Sequence, residues 1–157
     1  MGGLSGVPTF EDVLAARRLL KEHLRPTPQY ESVSLGRMLG LRLWVKYENH
    51  QPTVAFKVRG TLNRVLNLTD EERSLGVVTA SAGNHGQGVI SDEEIRRALV
   101  LLLAKTHNLA EGAGAAGTAG VVKLQERLAG KRVGTILSGG NLNRRVLERA
   151  LTDVRPW

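Results

Sequence analysis

The chain has 157 residues, 41% of them hydrophobic, which suits a single domain with a core of its own, and its formal net charge is +7. The lack of cysteine excludes disulfide bonds, thiolate metal sites and a cysteine nucleophile. No apolar run reaches the length of a membrane span and the N-terminal residues lack the pattern of a signal peptide, so we expect a cytoplasmic protein with no membrane partner. The basic residues are spread along predicted helix faces, often beside acids, so we expect no nucleic-acid partner.

The first half of the chain combines helical segments with one amphipathic strand. Apolar and basic residues alternate from Leu41 to Tyr47, which predicts a strand with one buried face. Gly40 occupies the C′ position of the short helix before that strand. In chain order we predict a helix over 8–23, a helix over 32–39, a strand over 41–47, a loop over 48–55, a helix over about 56–68 and a short turn begun by residues 70–72.

The second half continues this alternation. Ser91-Asp92-Glu93-Glu94 forms a capping box, with acids at the positive end of a new helix. The predicted elements are a buried strand over 76–80, a helix opened by Gly83-Asn84, a helix over 95–105, a small-residue helix over 111–128 that ends at Gly130, a strand over 132–137, a turn over 138–140 and a helix over 142–151. Alternating strands and helices predict an α/β fold with parallel pairing.

Three segments carry candidate functional residues at element junctions. Lys57 lies at a loop-to-helix junction, in Gln51-Pro52-Thr53-Val54-Ala55-Phe56-Lys57-Val58-Arg59-Gly60. A lysine amine reacts as a nucleophile in its neutral form, which desolvation favours. Thr79-Ala80-Ser81-Ala82-Gly83-Asn84-His85-Gly86-Gln87-Gly88 joins a strand to a helix, where unpaired backbone N–H groups can bind an anion. Leu137-Ser138-Gly139-Gly140-Asn141 follows a strand, at the edge where open α/β sheets bind ligands.

Together these segments resemble the serine/threonine dehydratase (threonine ammonia-lyase) family of the tryptophan-synthase-β-like, fold type II, pyridoxal phosphate enzymes. The resemblance implies a partial, shortened three-layer fold with a small, mostly parallel sheet flanked by helices. It also implies pyridoxal 5′-phosphate as the cofactor and an amino acid, threonine or serine, as the substrate. The implied reaction yields a 2-oxo acid and ammonia.

The resemblance further implies roles for individual residues. Lys57, preceded by Phe56, is the lysine that attaches to the cofactor. Asn84 hydrogen-bonds the cofactor's 3′-oxygen, Ser138 meets the pyridine nitrogen, and Glu111 matches a family motif near the ring. The residues that hold the substrate carboxylate are Ser81, Gly83, Asn84 and His85.

Two departures from the family pattern bear on activity. The family usually has Gly-Ser where this chain has Val54-Ala55, so the loop before Lys57 loses a glycine and a hydroxyl. Ala82 stands where related racemases commonly place a serine base. Because alanine cannot move a proton, the resemblance favours elimination over racemisation.

The chain also lacks a central segment of the family, and its two parts are fused at about Val89-Ile90. Residues 1–89 resemble the N-terminal part and residues 90–157 the C-terminal part of the catalytic domain, so we predict a single shortened domain over 1–157. In the family, the missing segment holds the rest of the small domain and a glycine run that binds the cofactor phosphate. We therefore expect weak or absent turnover, and exposed apolar surface that favours a homo-oligomer.

Other interpretations stay open at this point. The alternative function is that of a non-catalytic remnant or engineered fragment, which folds as an oligomer or with a partner. Residues 112–117 satisfy the dinucleotide-binding pattern GxGxxG, but the residues before them are helical and polar, so close helix packing explains the glycines better. The four histidines show no metal-ligand spacing, and we expect no metal.

Overall fold

The computed structural model describes residues 7–76 and 90–153, and within these ranges the chain is α/β. The described elements are α1 (Phe10–Leu20), β1 (Gln29–Glu31), α2 (Val33–Leu39), β2 (Arg42–Tyr47), a 3-10 helix (Glu48–His50), α3 (Lys57–Leu66), α4 (Asp70–Leu75), α5 (Asp92–Thr106), α6 (Gly112–Lys123), α7 (Gln125–Leu128), β3 (Arg132–Leu137) and α8 (Arg144–Asp153). They fall into two compact units. Unit 1 holds described residues 7–26 and 57–76, and unit 2 holds residues 27–56 and 90–153.

The sheet of unit 2 is mixed and has the strand order β1-β2-β3 in the described residues. β2 runs parallel to β3, with Arg42 opposite Arg132 and Tyr47 opposite Leu137, whereas β1 runs antiparallel to β2. The predicted parallel pairing is thus confirmed for β2 and β3. Because their carboxyl ends lie at the same edge of the sheet, the residues that follow Tyr47 and Leu137 emerge side by side.

The core of unit 2 lies between one face of this sheet and the helices α2, α5 and α6. Alternation in β2 sends Leu43, Val45 and Tyr47 to that face, as its pattern predicts. Full burial of an aliphatic side chain stabilises the fold by about 1.5–3 kcal/mol. The largest fully buried side chains are those of Leu35, Leu43, Leu99, Leu101, Leu102, Leu137, Val45 and Thr118.

Helix α6 approaches β3 closely because its small residues leave room for the strand. A Cβ atom at Gly117 would lie 2.6 Å from Thr135 Oγ1, and one at Gly114 would collide with the backbone of Gly139. The Thr135 hydroxyl is buried and finds no hydrogen-bond partner in the described part of the chain. The glycines of the GxGxxG segment therefore serve helix–strand packing, in agreement with the sequence analysis.

Unit 1 contains α1, α3 and α4, and it buries little apolar surface. Among its described residues only Leu20 and Leu24 are buried hydrophobic side chains. Helix α1 begins with a capping box between Thr9 and Asp12, and helix α4 begins with one between Thr69 and Glu72. Local capping rather than core packing thus defines the helix ends of this unit.

Three local predictions differ from the structure. Residues 70–72, predicted as a turn, open helix α4, because Thr69 caps them. The predicted single helix over 111–128 is interrupted at Leu124, which separates α6 from α7. Strand β1 was not predicted, because its three residues lack an alternating pattern and gain their partner only in the folded chain. The predicted strand over 76–80 and the helix opened by Gly83-Asn84 lie largely outside the described residues.

No helix in the two described ranges is both long enough and apolar enough to cross a membrane.

Candidate cofactor site

The loop before Lys57 pairs with the turn after β3. Residues 53–56 run antiparallel to residues 138–141, with a β-bridge between Ala55 and Gly139, and we call these two segments the loop–turn ribbon. Three hydrogen bonds join them: Phe56 N to Ser138 O at 2.9 Å, Gly140 N to Val54 O at 2.9 Å, and Asn141 Nδ2 to Thr53 O at 3.1 Å. The ribbon therefore connects two of the three segments that the sequence marks as candidates, and all of it lies within unit 2.

Val54 adopts an unusual backbone conformation in the ribbon. Its φ angle is +55°, in the left-handed region that β-branched residues rarely enter. Its N–H donates to Gln51 O at 2.8 Å and its carbonyl accepts from Gly140 N. The family pattern has glycine here, and glycine enters this region without a steric penalty. The departure noted in the sequence thus coincides with a point of backbone strain.

Glu111 lies against the Ser138-Gly139 part of the ribbon. It is the N-cap residue of α6, and its backbone N–H donates to Gly139 O at 3.0 Å. Its carboxylate lies so close to Gly139 that any side chain at that position would collide with it. The structure therefore brings together Phe56, Ser138 and Glu111, three of the residues predicted to contact the cofactor.

The Ser138 hydroxyl is only weakly engaged. Its Oγ lies 3.4 Å from Ala113 O, a long distance for a hydrogen bond from a hydroxyl. Ser138 directly follows the last residue of β3 and is partly exposed. The hydroxyl can therefore turn toward a ligand at the carboxyl edge of the sheet.

Lys57 follows the last residue of the ribbon, Phe56. It is the first residue of α3, it is exposed, and it begins the described second segment of unit 1. The predicted loop-to-helix junction is confirmed.

A buried polar group anchors the start of the same loop. Glu48 is 5% exposed, and its carboxylate accepts a hydrogen bond of 2.6 Å from the hydroxyl of Thr27. Lys46 Nζ lies 4.0 Å from this carboxylate. Glu48 was not predicted as a functional or structural residue. The sequence feature that could have indicated it is its position as an acid directly after a predicted strand. The neighbouring Tyr47 is also buried, and this burial raises the pKa of its hydroxyl.

The predicted anion-binding turn lies outside the described residues. This applies to Ser81, Gly83, Asn84 and His85, whose roles stay predictions. No cluster of side chains suited to a metal ion occurs in the ranges 7–76 and 90–153.

The described residues fit the ring end of pyridoxal phosphate. This group needs a primary amine for its aldehyde and a partner for its ring nitrogen. Within unit 2, Ser138 supplies a weakly engaged hydroxyl at a ligand-binding edge. Within unit 1, Lys57 carries a primary amine at the start of α3. Gly139 and Gly140 let the turn pack closely against Glu111 and Val54, which fixes the backbone that follows Ser138.

The family comparison agrees with this chemistry. Residues 20–90 match the family model described as pyridoxal-phosphate dependent enzyme. The matched range includes Phe56 and Lys57 and the predicted anion-binding turn, and it ends at the proposed junction.

The relatives that the chain resembles include ammonia-lyases, dehydratases and a serine racemase. The chain is 46% identical over 83 residues to L-threo-3-hydroxyaspartate ammonia-lyase of Saccharomyces cerevisiae, covering 53% of this chain and 26% of that protein. It is 47% identical over 79 residues to beta-hydroxyaspartate dehydratase of Paracoccus denitrificans, covering 50% of this chain and 25% of that protein. It is 40% identical over 111 residues to L-threonine ammonia-lyase of Thermotoga maritima, covering 64% of this chain and 28% of that protein. The matches thus span about a quarter of the length of these relatives.

A solved structure confirms the fold. The crystal structure of a threonine deaminase from T.th. superposes with a TM-score of 0.71 at 18% identity, over 87% of this chain and 99% of that one. The expected partial tryptophan-synthase-β-like α/β fold is therefore correct.

Proposed function

We propose that this chain is a shortened threonine or serine dehydratase with weak turnover, since its residues 20–90 match the family model described as pyridoxal-phosphate dependent enzyme. The substrate would lose its α-proton and β-hydroxyl, and hydrolysis would release a 2-oxo acid and ammonia. The loop–turn ribbon carries this proposal. It holds Phe56, the neighbour of the proposed reactive lysine, against Ser138, the proposed partner of the ring nitrogen.

Each described residue has a distinct task in this proposal. Bound pyridoxal phosphate supplies an aldehyde and an electron-withdrawing ring. The amine of Lys57 would hold the cofactor, and, once displaced by the substrate's amine, it would remove the α-proton of the substrate. Ser138 hydrogen-bonds the ring nitrogen through a neutral hydroxyl, which stabilises a positive ring less than a carboxylate would. This moderate stabilisation suits loss of a β-hydroxyl, because the leaving group takes the electron pair.

Glu111 has a supporting task. Its carboxylate packs against Gly139, so it keeps the glycine turn close to helix α6. We propose that Asn84 contacts the 3′-oxygen of the cofactor. We also assign the substrate carboxylate to backbone and side-chain groups of Ser81, Gly83, Asn84 and His85.

The substrate class is a β-hydroxy α-amino acid. Two relatives are named for hydroxyaspartate and one for threonine, and both of these amino acids carry a hydroxyl on the β-carbon. L-Threonine, L-serine and L-threo-3-hydroxyaspartate are therefore the substrates to compare.

Weak turnover follows from the shortened chain. Well-oriented groups lower a reaction barrier by up to roughly 7–11 kcal/mol. A cofactor held mainly at its ring end would be poorly oriented, because the glycine run for the phosphate is absent from the sequence at the Val89-Ile90 junction. The alternative is a non-catalytic remnant that folds as an oligomer or with a partner. Homo-oligomer formation and a cytoplasmic location are further predictions.

Covalent labelling tests whether Lys57 is the lysine that binds the cofactor. Purified chain is incubated with pyridoxal 5′-phosphate, reduced with borohydride and mapped by mass spectrometry. We expect the label on Lys57, with Lys57→Arg as the matched variant that loses it. A label on Lys46 or Lys105 in place of Lys57 would contradict the assignment.

Product release then tests turnover. Ammonia and 2-oxo acid are measured with each of the three substrates at saturating cofactor. We expect slow release that Lys57→Arg abolishes. Labelled Lys57 without any product would identify a cofactor-binding remnant, and rates of about 1 per second or more would show that another part of the chain replaces the phosphate loop.

A further inference from the structure

The loop–turn ribbon holds a residue in a conformation that the residue itself disfavours. Left-handed backbone raises the energy of a residue other than glycine, and β-branching makes the penalty larger. Val54 nevertheless has a φ angle of +55°. Contacts therefore maintain this conformation: one is the bond within the loop from Val54 N to Gln51 O at 2.8 Å, and others come from outside the loop.

The outside contacts come from the turn after β3. Gly140 N donates to Val54 O at 2.9 Å, and a Cβ atom at Gly140 would lie 3.2 Å from Val54 Cγ1. The turn contributes one side-chain bond to the loop, from Asn141 Nδ2 to Thr53 O at 3.1 Å. Asn141 thus hydrogen-bonds the backbone of Thr53, the residue immediately before the strained Val54.

We propose that Asn141 is a positioning residue. Its hydrogen bond to Thr53 O, which we call the clamp, holds Val54 in the left-handed conformation, and that conformation sets the path of the backbone that leads to Lys57. The relevance to catalysis rests on the proposed function, whereas the clamp itself is a property of the chain without cofactor. Loss of the clamp would let Val54 relax to a right-handed or extended conformation. Such a flip would break the bonds of Gly140 and Phe56 across the ribbon.

Three variants of the full chain test the clamp: Asn141→Ala, Val54→Gly and the double variant. The readout is hydrogen exchange at the amides of Gly140 and Phe56, without cofactor. We expect Asn141→Ala to speed exchange at both amides by about fivefold, the effect of losing one ordinary hydrogen bond. Val54→Gly should restore slow exchange in the double variant, because glycine enters the left-handed region freely.

A matched control removes a similar bond elsewhere. Asn67 Nδ2 donates to Asn63 O at 2.7 Å on the exposed surface of unit 1. Asn67→Ala should leave the exchange of Gly140 and Phe56 unchanged. Urea unfolding of each variant shows whether faster exchange reflects local opening or loss of global stability.

The labelling rate of Lys57 by pyridoxal 5′-phosphate supplies the second readout. We expect it to fall in Asn141→Ala and to recover in the double variant. Unchanged exchange in Asn141→Ala, or fast exchange that Val54→Gly does not reverse, would overturn the clamp. If no variant or parent chain labels Lys57, the proposed function fails, and the exchange data alone still decide the clamp.

Discussion

Substitution of Gly114 by alanine tests whether the packing of α6 shapes the candidate site. A Cβ atom at this position would collide with the carbonyl oxygen of Gly139, which also accepts the N–H of Glu111. The obstacle is backbone, so no side-chain rotation can relieve it. Helix α6 must move away from the turn, or the turn must move away from the helix.

The expected magnitude follows from two opposing effects. Alanine favours a helix over glycine by up to about 1 kcal/mol. Overpacking of a close contact costs about 1–3 kcal/mol, and displacement of the hydrogen bond from Glu111 N to Gly139 O adds to this cost. The clash therefore prevails, and we expect Gly114→Ala to lower the free energy of unfolding by about 1–3 kcal/mol.

Gly120→Ala is the matched control in the same helix. The nearest atom to its added Cβ would be Ile90 Cδ1 at 4.0 Å, an ordinary contact. This variant should be neutral or more stable by up to about 1 kcal/mol. Urea unfolding of the chain without cofactor measures both variants. Equal stability of Gly114→Ala and Gly120→Ala would refute the close packing of α6 against the turn.

Four further predictions concern unit 2. Ser91→Ala should lower the free energy of unfolding by about 0.5–2 kcal/mol through loss of the α5 cap, measured by thermal unfolding. The hydrogen bond from the Ser91 backbone, and then Lys123, lower the pKa of Glu94 in the folded chain. Its contribution to stability is therefore present above the pKa of an unfolded glutamate and should disappear as the pH falls through the lowered value. A stability–pH series that is identical for Glu94→Gln and the parent chain would contradict this. Thr135→Val should stabilise the chain by about 1 kcal/mol, because it removes a buried hydroxyl without a described partner, and a loss of stability in urea would argue for a bound water there. Gly40→Ala should destabilise the chain in urea by about 1–2 kcal/mol, because Gly40 has a φ angle of +67°, which alanine disfavours. The space around Gly40 is open, so this variant tests backbone strain without a steric clash.

Much of the fold could be predicted because its signals are local. The alternation from Leu41 to Tyr47 predicted β2, and the capping box at Ser91 predicted the start of α5, both of which the structure confirms. The end of α2 at Gly40 was equally clear, since a left-handed C-cap favours glycine. Strand β1 could not be predicted, because its pairing with β2 depends on tertiary structure.

The sequence suggested which residues to consider for the candidate site, but it did not predict how the described ones are arranged. Motif resemblance pointed to Lys57, Ser138 and Glu111, and the structure places Glu111 against the glycine turn that begins at Ser138. The antiparallel bonding of the loop to that turn left no pattern in the sequence, since most of its bonds involve backbone atoms. The contribution of Asn141 therefore became visible only in the structure.

The ribbon also has a consequence for how the chain folds. Thr53 and Asn141 are 88 positions apart, so their bond closes a very long loop. Contacts of this range form only after the entropy of loop closure has been overcome, and they therefore appear late in folding. Helix α5 can form early from its own sequence, while the backbone before Lys57 must wait for a distant segment. During translation, Val54 can bond to Gln51 early, but its carbonyl cannot accept from Gly140 N until that distant residue has left the ribosome.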